Sequence, residues 1–365
     1  MKSIRALFIC PTLGVGGAER QWATLLPMLR DRGISVEVMA LNVQGRFFHE
    51  LRAAGIETSY AAVRNRFDLV RLGRAVLSVR TTPDIVVSQS IDAHVVGRAI
   101  ARRLHCRHIH VEHAGPGFTR KPHHGVLYRL VAPSADAVVA VSRSQLPTLT
   151  ELGYPAHVVR VIPNGVDAPA VTRSRAAVRS ELGLRDDDFA VLLLATLRPE
   201  KRATLFARLV DRAHQVEPAI RGIVVGGGPD LERVRELAAS FDGAMSVLGY
   251  REDVGDLLAG SDLVCLTSAV EAAPLSLLES MAIGRPVLAF RVGGIEELVD
   301  PSSGVLVEDE GGFGSALVEL ARDRQLTSKL GRGARSRYEH NYTPGRMADA
   351  YAELLRSVSV AAEAR

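Results

Sequence analysis

The sequence predicts an α/β protein made of two doubly wound, Rossmann-like parallel-sheet domains. Three observations carry that prediction. Apolar runs of strand length alternate with helix-patterned segments from the first residues, the alternation stops around residues 161–167, and beyond a polar connection it restarts. With 365 residues the chain is also too long for one ordinary core and suits two domains of roughly 150 residues each.

In the first half, RALFIC reads as a strand, GGAERQWATLLPMLRDRG as a helix and ISVEVMAL as a second strand. PDIVVSQ, RHIHVEH and AVVAVS supply further strands. The rhythm breaks at VIPNGVD, and the arginine-rich stretch APAVTRSRAAVRSELGLRDDD holds only a short helical piece. FAVLLLATL, GIVVGGG, MSVLG, DLVCLTS and PVLAF then resume it. The predicted domains are therefore 1–167 and 168–343. Ligands of such sheets bind beyond the carboxyl ends of the strands, so two facing domains would place their site in the cleft between them.

Composition narrows the function classes. Hydrophobic residues at 47% and charged residues at 24% suit a soluble globular protein, and no apolar run approaches the roughly 18–20 residues a bilayer requires. MKSIRALFICPTLG reads as the first strand of the fold, leading into a glycine loop, not as a leader peptide. Cys10, Cys106 and Cys265 are far apart, which indicates neither a disulfide framework nor a metal cluster and points to a cytoplasmic protein. The net charge of +4 admits nucleic acid, an anionic membrane or phosphorylated substrates. Its distribution is more telling. Arg64, Arg66, Arg71, Arg74 and Arg80 share the segment RNRFDLVRLGRAVLSVR with Phe67, Leu69, Val70, Leu72, Val76 and Leu77. That pattern fits a solvated helix packed on a sheet or a helix resting on an anionic membrane. No nucleic-acid motif accompanies it.

Glycine loops in such a chain raise a dinucleotide cofactor, and the test fails. A GxGxxG register starting at Gly14 puts Glu19 where the third glycine belongs, and VEVMALNVQG lacks the acid that holds a ribose. GGGP at 226–229 fails the same way, with Leu231 in the third-glycine position. No GxxxxGK[ST] loop, GxSxG elbow or spaced metal-ligand set occurs.

The stretch EAAPLSLLE, Glu271 to Glu279, lies between a strand-length run and a helical pattern. Pro274 suits a first helical turn, which leaves Leu275, Ser276 and Leu277 with free N–H groups at a helix start, an anion site. Glu279 falls about 8 Å further along the axis, so the two acids read as separate hydroxyl acceptors flanking a phosphate.

Taken together, the residues resemble family 4 of the GT-B fold glycosyltransferases, which move a sugar from a nucleotide diphosphate with retention at the anomeric carbon. The resemblance spans nearly the whole chain: the GVGGAE loop, PDIVVSQ, His113 in EHAGPG, VIPNGVD, LRPEKR, GGGPDLERVREL and VLGYREDVGDLL. Its most specific part runs from Glu271 through MAIGRPVLAFRVGGIEELV. NYTPGRMADAYAELLRSV resembles the family's terminal helix, which implies that 344–360 crosses back to complete the first domain.

The resemblance implies that the first domain is the acceptor side and the second the nucleotide-sugar side, with a UDP- or GDP-linked donor and no separate cofactor. Glu271 would lie near the hydroxyls of the transferred sugar and Glu279 would accept from the ribose, with Pro274, Leu275 and Ser276 facing the diphosphate. Lys201 would neutralise the leaving phosphate without a metal, and His113 would sit near the anomeric centre. Gly16 and Gly17, with Gly14, would line a phosphate or acceptor position, while Glu19, His110 and Glu112 are secondary candidates. Two departures stand out. Thr196 occupies the position where the family usually carries arginine, leaving Arg198 to reach in from two residues on, and Ala272 replaces a usual glycine. The implied acceptor is a lipid-linked or polysaccharide glycan precursor, met by a protein peripheral to the inner membrane face. An NDP-sugar epimerase of the same fold, or a silent nucleotide-sugar-binding relative, remains a competing reading.

Overall fold

The structure, a computed structural model, describes residues 3–14, 16–64, 68–113, 128–129, 132–241 and 243–363. Val15, Arg66, Phe67 and the AGPG following His113 lie outside the described residues. The chain divides into two units, Met1–Gly165 with Pro344–Arg365, and Val166–Thr343.

Unit 1 runs β1 (Arg5–Thr12), α1 (Gly17–Arg30), β2 (Ser35–Val43), α2 (Gly45–Ala53), β3 (Glu57–Tyr60), α3 (Leu69–Ser78), β4 (Ile85–Gln89), α4 (Ser90–Leu104), β5 (Arg107–Glu112), β6 (Ala137–Ala140), α5 (Leu146–Glu151) and β7 (Val159–Val161). All strand pairs are parallel, in the order β3-β2-β1-β4-β5-β6-β7. The chain winds outward from β1 to β3 and returns beside β1 with β4. That reversal makes the β1/β4 edge the switch point where such sheets bind ligands.

Unit 2 runs α6 (Arg175–Glu181), β8 (Phe189–Leu194), α7 (Ala203–Val216), β9 (Ile220–Val225), α8 (Leu231–Ala239), β10 (Met245–Gly249), α9 (Val254–Gly260), β11 (Leu263–Leu266), α10 (Leu275–Ala282), β12 (Val287–Phe290), α11 (Ile295–Leu298), β13 (Gly304–Val307), α12 (Glu310–Arg322) and α13 (Arg324–Asn341). Its parallel order is β10-β9-β8-β11-β12-β13, with Leu263 opposite Val191 across the β8/β11 switch point. Strand β8 shows why these runs are continuously apolar. Phe189, Val191 and Leu193 enter the core on one face, while Ala190 and Leu192 enter that on the other, as expected when helices cover both sides.

The last helix, α14 (Pro344–Glu363), belongs to unit 1. It buries Met347, Ala348, Tyr351, Ala352 and Leu355 in the same core as Trp22 and Leu26 of α1, and Arg32 pairs with Asp349 at 2.7 Å. The architecture is the doubly wound α/β pair expected from the alternation.

Candidate functional site

The densest set of predicted residues stands at the carboxyl ends of β8 and β11, on either side of the unit 2 switch point. After β8 the chain turns through Thr196, Leu197 and Arg198 into a short 3-10 turn, Pro199–Lys201. Leu197 is fully buried and pins this turn, leaving Thr196 and Arg198 exposed on either side of it. Arg198 has no ion-pair partner among the described residues, and its N–H donates to the Thr196 carbonyl at 2.8 Å. The chain thus turns tightly at Leu197, while Arg198 itself is extended, with φ −107° and ψ 159°.

Lys201 Nζ donates to Glu271 Oε1 at 2.5 Å, and Ser268 Oγ donates to the same oxygen at 2.6 Å. The Glu271 carboxylate is buried, so its charge has to be met locally, and Lys201 meets it. Two further ties couple the loops. Thr267 Oγ1 donates to the Lys201 and Arg202 carbonyls at 3.1 and 3.2 Å, and the Arg202 guanidinium donates back to the Thr267 and Ser268 carbonyls at 2.6 and 3.2 Å. Arg202 adopts a left-handed conformation, φ 49°, and its guanidinium lies 4.8 Å from the Phe290 ring centroid. Neither Ser268 nor Arg202 stands out in the sequence; the family resemblance of RPEKR implies the cation, but only the fold shows which loops it ties.

Behind Glu271 stands the glycine pair that follows β12. The Gly294 N–H donates to the Glu271 carbonyl at 3.0 Å, and Gly293 has φ 52°, with a Cβ there colliding with that carbonyl oxygen. Glycine is required at this approach. Ala272, by contrast, is buried without a positive φ, since the left-handed non-glycines among the described residues are Ala62, Ser90, His105 and Arg202. Alanine fits where the family pattern has glycine.

Pro274 is the residue preceding α10, φ −66°, one position before the first-turn placement expected for it. Its carbonyl accepts from the Leu277 N–H at 3.2 Å, so the helix ladder starts early and Leu277 is not a free donor. The N–H groups of Leu275 and Ser276 have no backbone acceptor among the described residues. Leu277, Leu278, Met281 and Ala282 bury the other face of α10, each large side chain contributing about 2 kcal/mol. That anchoring fixes Glu279, which is buried in the fifth position of the helix.

Unit 1 holds the remaining candidates. Gly16 precedes α1 with extended backbone, and the Glu19 carboxylate folds back over it, so that a Cβ at Gly16 would collide with Glu19 Oε2. The start of α1 is therefore covered by an acid of its own first turn, a favourable placement for negative charge. Gly17 opens the helix and is exposed.

Strand β5 sends Ile109 and Val111 into one core and His108, His110 and Glu112 to the opposite face. There a buried polar cluster forms. His94 of α4 lies 4.8 and 4.3 Å, centroid to centroid, from His108 and His110, and Ser88 Oγ is 2.9 Å from His108 Nε2. Tyr128 donates to Glu112 Oε2 at 2.7 Å, and that oxygen is 3.5 Å from His110 Nε2. His113 follows immediately. The residue is partly exposed, yet its Nε2 is buried with no hydrogen-bond partner among the described residues. Burial pushes its imidazole down to about 4, with Glu112 opposing and His110 adding, so it is neutral at physiological pH. His108 is pushed down to about 3, by burial first and then by His110.

Among the described residues no group of three His, Cys, Asp or Glu is placed to hold a metal ion, and no helix is long and apolar enough to cross a membrane. Helix α3 buries only Ala75 and exposes Leu69, Val70 and Leu77 beside Arg74.

Comparison with solved structures defines the class. Anabaena HepE, solved in complex with UDP, superimposes with a TM-score of 0.86 over 97% of this chain and 100% of that one, at 22% identity. Sucrose-phosphate synthase from Thermosynechococcus elongatus gives 0.81 at 17% identity, over 98% of this chain and 100% of that chain. The fold is GT-B. Residues 15–168 match the family described as Glycosyltransferase Family 4, and residues 188–323 that described as Glycosyl transferases group 1. This chain belongs to family 4 of the GT-B glycosyltransferases. It is 28% identical over 242 residues to N-acetyl-alpha-D-glucosaminyl L-malate synthase of Bacillus anthracis, covering 64% of this chain and 62% of that protein. It is 31% identical over 252 residues to D-inositol 3-phosphate glycosyltransferase of Stackebrandtia nassauensis, covering 63% of this chain and 57% of the relative. The matches thus span about three fifths of these relatives' length.

Proposed function

We propose that the protein is a retaining glycosyltransferase that takes a sugar from a UDP- or GDP-linked donor to an acceptor hydroxyl, with unit 2 holding the donor. The observation that carries this is the buried Glu271 paired with Lys201 beside the start of α10, at the β8/β11 switch point. A carboxylate for sugar hydroxyls, a cation for phosphate and two free helix N–H groups stand together there, which is what a sugar diphosphate presents in complement.

In the proposed reaction the bond between the anomeric carbon and the diphosphate breaks as an acceptor hydroxyl attacks the same face of an oxocarbenium-like sugar. The leaving phosphate oxygen takes the acceptor's proton. Lys201, Arg198 and the Leu275 and Ser276 N–H groups stabilise the charge gathering on that phosphate, so no metal is needed. Glu279 binds the ribose hydroxyls and neutral His113 accompanies the anomeric centre.

We further propose a lipid-linked glycan precursor as the acceptor, reached at the inner membrane face by way of α3. The apolar residues and arginine exposed on that helix support this reading. Relatives named for malate and inositol 3-phosphate favour a second reading, a small anionic acceptor.

The test is calorimetric titration with UDP, GDP, ADP and NAD in EDTA, followed by product analysis with the donor that binds. UDP comes first, because HepE was solved with it. Binding of one nucleotide diphosphate without metal, and transfer with retained anomeric configuration, is the expected result. Binding without transfer to any acceptor would leave a silent relative, an altered free sugar nucleotide an epimerase, and binding of NAD alone would overturn the reading.

A further inference from the structure

We propose that unit 2 carries a second anion site, at the amino ends of its strands, that takes a small molecule bearing a diphosphate or two phosphate groups. The site is a cavity of about 500 Å³ between α13 and the turn Ile283–Pro286, with Asp262 at its edge. Asp262 and Pro286 immediately precede β11 and β12, so the cavity lies at the sheet end opposite to the Glu271–Lys201 pair. Its volume falls within the roughly 300–1,000 Å³ of small-molecule pockets.

Charge is what sets it apart. Arg285, Arg324, Arg332 and Arg335 line it against two carboxylates, Asp262 and Glu339. Both acids are already engaged. Arg175 and Arg179 hold Asp262 at 2.7 and 3.3 Å, leaving Arg324 at 3.8 Å, and Glu339 accepts from Arg335 Nε at 2.6 Å. The other guanidinium bonds go to neutral groups, which satisfy donors but not charge. Arg285 donates to the Ala259 carbonyl at 2.8 Å, Arg324 to the Asp187 carbonyl at 2.9 Å and Arg332 to Ser328 Oγ at 3.0 Å.

One donor is left over. Arg285 Nε is buried and has no hydrogen-bond partner among the described residues. Burial and then the Arg175 charge push this guanidinium below its usual value, with Asp262 opposing and Arg179 adding. Like charges crowd a cavity whose acids are spent, and Arg285 keeps an unpaired N–H in its wall. A multivalent phosphate supplies both the charge and the oxygens, and arginine forks match its geometry. Chloride would supply neither the second charge nor the second acceptor.

Calorimetric titration with inorganic pyrophosphate at fixed ionic strength tests this on the full chain. Wild type should bind it, Lys201→Met should keep the site, and Arg332→Gln or Arg324→Gln should each weaken it at least tenfold, the scale of one charge-assisted hydrogen bond. Arg332 is exposed and bonds only Ser328 among the described side chains, so Arg332→Gln keeps the test valid if Arg324→Gln fails to fold. Pyrophosphate binding lost only in Lys201→Met, or unchanged in both arginine variants, or absent from wild type, would overturn the proposal. Co-sedimentation with phosphatidylglycerol vesicles through the same arginines, without pyrophosphate binding, would assign them to a membrane and overturn it too.

Discussion

Gly293→Ala asks whether the Glu271 turn is held from behind. Gly293 sits at φ 52°, a conformation that costs a side chain about 1 kcal/mol. An added Cβ would lie 3.3 Å from the Glu271 carbonyl carbon and closer still to its oxygen, inside the roughly 3.3 Å at which carbon and oxygen rest. Clearing the oxygen requires a backbone shift of about 1 Å, judged against that same contact distance. The shift breaks the 3.0 Å bond from the Gly294 N–H, worth about 1 kcal/mol net. Together these give about 2 kcal/mol, or a melting temperature lower by roughly 4–8 °C for a unit of this size.

The functional consequence is larger than the loss of stability. The Glu271 carboxylate moves with its backbone, and a misplacement of about 1 Å in a positioned group costs on the order of 10²-fold in turnover. Differential scanning fluorimetry reads the first effect and nucleotide release in the presence of acceptor the second. A melting temperature within 1 °C of wild type would refute the steric argument. Full destabilisation with undiminished turnover would refute the claim that this turn positions Glu271.

Other expectations follow from the same geometry. Lys201→Met leaves the Glu271 carboxylate buried with Ser268 as its remaining side-chain donor among the described residues, so kcat should fall roughly 10²–10³-fold, and Lys201→Arg should restore part of it. Glu279→Ala should raise KM for the nucleotide sugar while Glu271→Ala depresses kcat; equal effects on both constants would show that the two acids do not divide the work. Thr196→Arg should tighten donor binding about tenfold and make Arg198→Ala harmless, whereas a wild-type-like Arg198→Ala single variant would remove Arg198 from the site. Stability should fall as pH drops from about 6.5 towards 4, because His108 and His113 are held neutral in the fold while the unfolded chain takes up their protons. Each group contributes up to about 1.4 kcal/mol per pH unit in that window, and urea titration of His108→Asn should show a shallower slope than wild type.

Much of the fold was legible because parallel sheets covered on both faces demand unbroken apolar strands. FAVLLL and LVCL are such runs, and their spacing, with helical segments between, leaves few topologies. The helix start at Pro274, Leu275 and Ser276, with Glu271 in the turn before it, was legible for a different reason: a proline before a helical pattern, after a strand, places a helix start beyond a carboxyl end. Lys201, by contrast, rests on the family resemblance of RPEKR alone. What the sequence could not show is contact across the chain. Nothing local to Arg202 or Lys201 says that one ties the loop bearing Glu271 and the other pairs with its carboxylate, because those partners are 65 and 70 residues away. The Ser268 bond to the same carboxylate spans three residues but depends on a turn whose shape those distant ties hold.

The arginine cavity shows the same limit from the other side. In sequence, Arg285, Arg324, Arg332 and Arg335 are unremarkable surface charges, three of them on a helix where a solvated face is the ordinary expectation. Only the fold reveals that Asp262, the acid nearest to Arg324, is already held by Arg175 and Arg179 from a different helix. Electrostatic demand is a property of neighbours in space, and counting charges along a chain that is only +4 overall cannot locate it. The glycine at 293 makes the complementary point. Its sequence context reads as a turn, but the reason only glycine serves there is the carbonyl of Glu271, whose position is set by a different strand's loop. A residue type can therefore be read as permissive from sequence, while what it permits is read only from the structure.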